Sequence, residues 1–223
     1  MDVAAQKRSL LDAVNFLLTV PSRRERNEIL GKENERKELL PIECLKDYER
    51  FRKREYQHIR HVRACHSAIL LEQRKEADIL QNWHAEVENL GISLHDHTKD
   101  EFYFFVTILA FSFNLKEELP GNLLQCELDR HFTLEPHHPE YEILNAHKGL
   151  RIKDRDIAEM AIDRLSRNLQ FNYGKYNQEQ IEKYEPRFLF DHERKIELYR
   201  KHVKDFKLRV LKIWNDMKYP FLD

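Results

Sequence analysis

Ten of the twelve histidines in this chain fall between His58 and His147, and several stand beside acidic residues, as in His95-Asp96-His97-Thr98-Lys99 and His137-His138-Pro139-Glu140. Imidazole is the commonest side-chain metal ligand and the one side chain whose ordinary pKa lies near neutrality. Such crowding therefore points to metal binding or to acid and base work. In chain order the candidate ligands are His58, His95, Asp96, His131, His138 and Asp163. A hard or borderline divalent ion takes a mixture of imidazole nitrogens and carboxylate oxygens, and the predominance of histidine favours a transition metal (Fe, Mn or Zn) over Mg. Neighbouring side chains point apart on a regular helix, but at a helix end the backbone can aim both at one ion, and a pair of ions suits the set as well. Lys99, three residues after Asp96, would carry an ammonium about one helical turn beyond the ligands. There it would offset charge on a phosphoryl or leaving group, and His137 is the second candidate for that work.

For these residues to meet, helices must carry them. Five glycines, seven prolines, 35% charged residues and a near absence of alternating apolar runs predict an all-α chain. Leu10, Leu11, Val14, Leu17 and Leu18 recur at helical spacing over residues 6–19, which Pro21 closes. Ser22 with Glu25 reads as a capping box for a charged run, Arg23 to Lys37, with the composition of a solvated helix. After Pro41 a long helix is expected over 43–71, and another over 75–90 that stops at Gly91. A helix opening at Thr98, capped by its hydroxyl with Glu101 as partner, leaves His95 and Asp96 at a helix junction. Phe102 to Phe113 is expected to be the central buried helix. A helix over 123–132 then precedes a loop that Pro136 and Pro139 shape around His137 and His138. Asp156 with Glu159 opens a helix to about Leu169 that bears Asp163. The stretch 177–219 is predicted helical, with enough apolar side chains between Tyr184 and Trp214 to pack on the core or to form a homo-oligomer interface.

Composition excludes some classes. With 38 Lys and Arg against 39 Asp and Glu there is no global basic field, so nucleic acid is not an expected partner. Three widely spaced cysteines, Cys44, Cys65 and Cys126, contain no CxxC pair, which argues against a disulfide framework and a cysteine zinc site and for a reducing, cytoplasmic setting. No run reaches the roughly 20 apolar residues of a membrane span. Leu10 to Val20 reads as an amphipathic helix rather than a signal peptide.

The order H, then HD followed by two residues and Lys, then H, then HH, then D resembles the HD (histidine-aspartate) superfamily of helical metal-dependent proteins. More narrowly, four motifs are similar to those of a small family of bacterial and viral helical proteins: His58-Ile59-Arg60-His61-Val62, His95-Asp96-His97-Thr98-Lys99, His131 through His137-His138-Pro139-Glu140, and Glu159-Met160-Ala161-Ile162-Asp163. The likeness spans about residues 58 to 165. Asp100 and Arg164 stand where that family has aromatic residues and His61 where it has asparagine, and none of these changes removes a ligand. The resemblance implies an HD-like helical bundle core over 57–170, with helical extensions over 1–56 and 171–223. It also implies a divalent metal centre and hydrolysis of a nucleotide or other phosphate ester, whereas a branch with a similar ligand set implies oxygen chemistry at a di-iron site.

Each candidate also has a plainer role. Asp96 can cap the helix that follows, Asp163 can pair with Arg167 one turn on, and His61, His66, His84, His97 and His147 can be surface or satisfied, partly buried imidazoles. Cys65 reads as a small buried side chain rather than a nucleophile. Three readings of the chain are open: a metal-dependent phosphohydrolase taking a small-molecule phosphate ester, a di-iron oxygenase, and a non-catalytic helical interaction module.

Overall fold

A computed structural model describes residues 3–70, 95–172 and 192–217, and among these the regular structure is helical, without strands. The expected helix over 75–90 with its Gly91 stop, His84, and the aromatic residues Tyr184, Phe188 and Phe190 lie outside the described residues. The elements are α1 (Val3–Thr19), α2 (Arg23–Gly31), α3 (Glu33–Leu39), α4 (Ile42–Cys65), α5 (Glu101–Ser112), α6 (Leu123–Leu134), α7 (Glu140–Leu144), α8 (Asp154–Phe171) and α9 (Glu193–Asp216). The all-α expectation is therefore met. No helix among the described residues is long and apolar enough to cross a membrane. The chain forms two compact units, one from the described residues of Met1–Glu55 and His97–His131, the other from those of Tyr56–Asp96 and Phe132–Asp223.

In the first unit α1 buries Leu10, Ala13, Val14 and Leu17, the stripe that its spacing dictates. Ser22 caps α2 as expected, its hydroxyl accepting from the Glu25 amide at 3.1 Å. The charged run that follows departs from a single solvated helix. It breaks at Lys32, and two of its cations turn inward: Arg36 donates to the Leu30 carbonyl and pairs with Glu49, and Arg23 grips Asp100 and Glu127. Long basic side chains bury their stems along apolar surface, so counting charges cannot tell a solvated face from one that seals a core. Every residue of α5 from Phe102 to Ala110 is buried, as a central helix requires. Its cap is Asp100, whose carboxylate accepts from the Tyr103 amide at 3.0 Å, not Thr98. Thr98 is otherwise engaged, with its hydroxyl 2.6 Å from His131 Nδ1.

The second unit is built on α8 and α9, which pack together. Tyr199, Val203, Phe206, Val210 and Trp214 line one face of α9 and share a core with Ile157, Ala161 and Leu165 of α8 and with Val62 and Cys65 of α4. The described part of the carboxy-terminal stretch thus packs on the core. His61 pins the same three helices, its Nδ1 2.8 Å from Ser166 Oγ and its Nε2 3.1 Å from the Val210 carbonyl. At the start of α8 the Lys153 amide donates to Asp156 at 2.8 Å, which fixes the register of the residues beyond. The end of α4 widens into a single π turn, His66–Leu70, a local form often found at functional sites.

Candidate metal centre

Four segments of the second unit deliver the centre. α4 brings His58 and the π turn His66, the turn at 95–96 brings His95 and Asp96, the Pro136 to Pro139 loop brings His137 and His138, and α8 brings Glu159 and Asp163. Glu159 and Asp163 are one helical turn apart, so both carboxylates share a face of α8. Adjacent His95 and Asp96 converge because Asp96 takes a left-handed conformation, φ 55°. This region is unfavourable for most side chains and tolerated by aspartate. The sharp reversal brings His95 Nε2 to 3.3 Å from Asp96 Oδ2.

The donor atoms interlock. His58 Nε2 lies 2.7 Å from Asp163 Oδ1, and His95 Nε2 lies 3.7 Å from the same oxygen. His95 Nδ1 meets Glu159 Oε1 at 2.8 Å. His137 places Nε2 3.5 Å from Asp96 Oδ1 and Nδ1 3.3 Å from Glu159 Oε1. Its ring lies 4.4 Å from that of His95 and 4.3 Å from that of His138. His58, His95, Asp96 and His137 are buried, whereas Glu159 and Asp163 each keep 15% of the side chain exposed.

The electrostatics follow from burying carboxylates against imidazoles. Burial alone would lower His95, but the Asp96 and Glu159 carboxylates overcome it and push it up to about 10. Burial likewise opposes the upward shift of His137, which Glu159 and Asp96 produce against the repulsion of His95. Glu159, which burial would raise, is brought down to about 2 by His66, His137 and His95. Asp163 is held well below the usual carboxylate range by His58 and its neighbours, again against burial. His66 responds mainly to burial and falls to about 4, so it stays neutral.

Of the sequence candidates, His58, His95, Asp96, His137, His138 and Asp163 are brought together, with His137 deeper than the half-buried His138. Asp163 bonds to His58, and Asp96 caps no helix. His131 and Lys99 belong to the first unit, where His131 is buried beside Thr98 and the Lys99 ammonium lies 3.8 Å from Glu55. His97 and His147 are exposed and His61 is buried and bonded. Cys65 is fully buried, its thiol pushed up chiefly by burial, as a small core side chain should be. Two residues of the cluster, Glu159 and His66, were not among the sequence's candidate ligands. Glu159 was legible in its four-residue spacing from Asp163, while His66 carried no signal beyond lying eight residues after His58 in the same helix.

The donor set fits a divalent transition ion. Ligand atoms of His58, His95, Asp96 and Asp163 lie within 4.8 Å of one another, as do those of Asp96, His137 and His138 and those of His95, His137 and Glu159. Bonds of ~2.1 Å put neighbouring ligand atoms about 3 to 3.5 Å apart, close to the separations of His95 and His137 from Asp96. His95 Nε2 is buried without a hydrogen-bond partner, and so is His66 Nε2. Buried nitrogens are rarely left so unless another ligand takes them. These are buried clusters that could bind a metal.

No curated protein and no solved structure matches the chain. Residues 47–209 match a family described as a family of unknown function, DUF5662, and since that match covers most of the sequence, the chain belongs to this family.

Proposed function

We propose that the chain is a divalent-metal-dependent phosphohydrolase with an HD-like core over 57–170, acting in the cytoplasm on a nucleotide or another small phosphate ester. The observation that carries this reading is the convergence of the buried His95 Nε2 on the carboxylates of Asp96 and Asp163, with His58 alongside. His58, His95, Asp96 and Asp163 would hold the ion, with His137 and His138 on its Asp96 side. When bound, such an ion supplies an acidified water and polarisation of a phosphoryl oxygen. The carboxylate of Asp163, fixed by His58, would hold the ion or orient a water beside it. Lys99 is assigned by the motif order to offset phosphoryl charge, and His131 is retained as a further ligand.

The test is elemental analysis of protein purified without added metal, together with release of inorganic phosphate from a panel of nucleotides and from p-nitrophenyl phosphate. Bound Fe, Mn or Zn, and phosphate release that chelation abolishes and the same ion restores, support the reading. Metal loss that leaves phosphate release unchanged overturns it. Oxygen consumption by the iron-loaded, reduced protein without phosphate release replaces it with oxygenase chemistry.

A further inference from the structure

Glu159 touches two imidazoles on the edge turned away from Asp96. Its Oε1 lies 2.8 Å from His95 Nδ1 and 3.3 Å from His137 Nδ1. The opposite nitrogens face the two oxygens of Asp96, His95 Nε2 at 3.3 Å from Oδ2 and His137 Nε2 at 3.5 Å from Oδ1. The two rings lie side by side with centroids 4.4 Å apart and planes 40° from parallel, so each spans the gap between the same two carboxylates. A neutral imidazole carries a single N–H. When Nδ1 donates it to a carboxylate, the Nε2 lone pair is left for an ion, and ring orientation is fixed at the same time.

We propose that Glu159 is a positioning residue that holds His95 as its Nδ1–H tautomer, so that this buried carboxylate presents the His95 Nε2 to an ion on the Asp96 side. The inference rests on the metal reading and gives Glu159, a motif residue without an assigned role, a part in it. Glu159 can do this because α8 is locked into the core on either side of it, with Ala158, Met160 and Ala161 buried and Asp163, one turn on, tied to His58.

The experiment uses the full chain labelled with 15N-histidine and loaded with zinc, with competition titration against a chromophoric chelator alongside. In the wild type, the His95 imidazole should show protonated Nδ1 and zinc-bound Nε2, identified by the loss of its signals in H95Q. Zinc bound through Nδ1 of His95 overturns the proposal, and this measurement needs no change at Glu159. Glu159→Gln should weaken zinc binding about 10- to 100-fold, the usual cost of an outer carboxylate, and an affinity within about twofold of the wild type overturns the proposal. A wild type that binds no zinc, or D96N that binds it unchanged, overturns the metal reading and this inference with it. Binding lost in D96N but untouched in E159Q overturns this inference alone.

Discussion

Each unit of the protein buries a cluster of carboxylates, and the clusters differ in what answers them. In the first unit Arg23 forks across both Asp100 and Glu127, with Nε 2.6 Å from Asp100 and Nη1 2.9 Å from Glu127, and Arg130 approaches both at 3.5 Å. A guanidinium keeps its charge at any ordinary pH and matches carboxylates two bonds at a time, so that cluster is balanced by its own side chains. In the second unit the groups that meet Asp96, Glu159 and Asp163 are the imidazoles of His58, His95 and His137. Their charge is conditional. That His95 rises to about 10, against its burial, shows the cluster drawing in a proton where the first unit has a fixed cation. Buried carboxylates answered by arginine hold a fold together, whereas those answered by histidine would, under the proposed function, take a divalent ion in place of a proton.

The largest expected effect separates the two clusters most directly. Asp96→Asn keeps the shape and suits the left-handed backbone at φ 55°, where asparagine is tolerated as well as aspartate. Zinc affinity should nonetheless fall by more than the roughly 100-fold that outer carboxylates cost, as read by chelator competition. An unchanged affinity breaks the comparison at its centre. The matching change in the first unit, Arg23→Ala, leaves Asp100 and Glu127 without their fork. Because Arg23 and Asp100 are about a quarter exposed, the loss should sit near the low end for a broken buried pair, about 3 kcal/mol by urea unfolding, with zinc affinity unchanged. If Arg23→Ala instead released zinc and left stability alone, the roles of the clusters would be reversed.

Metal removal gives a slightly smaller and reversible handle. At free zinc about 100 times the dissociation constant, binding to the folded chain adds about 2.7 kcal/mol. Calorimetry should therefore show the transition of the wild type falling when a chelator is added. That of D96N should not move. Equal shifts in both proteins would trace the effect to zinc held elsewhere.

Which parts of this were legible in the sequence follows from how local their causes are. The α1 stripe, the Ser22 cap and the buried run of α5 depend on neighbours within a turn or two, and all are found where spacing puts them. The convergence of His58, His95, Asp96 and Asp163 was readable only as an order of residue types, because the distances that join them are set by how α4 and α8 pack. The misassigned cap has a similar origin. Thr98 and Asp100 are both good capping residues, and the choice fell to Asp100 because His131, distant in sequence, engages the Thr98 hydroxyl. Arg23 and Arg36 looked solvated because their partners, Asp100, Glu127 and Glu49, also lie far along the chain.

His61 offers the finest discrimination, since it shares α4 with His58 yet serves packing. Burial, against the Val210 carbonyl and helped by the repulsion of His58, brings it down to about 3, and its ring is enclosed by Ser166, Cys65 and Trp214. The unfolded chain takes up a proton on this imidazole near its ordinary value of about 6.5, while the folded chain refuses it until about 3. Its contribution is therefore complete above about pH 6.5 and declines as the pH falls, with a limiting slope of about 1.4 kcal/mol per pH unit. His61→Gln keeps an amide for the Val210 carbonyl and for Ser166 but has nothing to titrate. Urea midpoints measured from pH 7 to pH 4.5 should fall more steeply for the wild type than for H61Q, and the difference isolates this one ring. Parallel slopes would mean that His61 is charged or open to water in the folded chain. The line drawn here between packing histidines and those of the metal centre would then have to move.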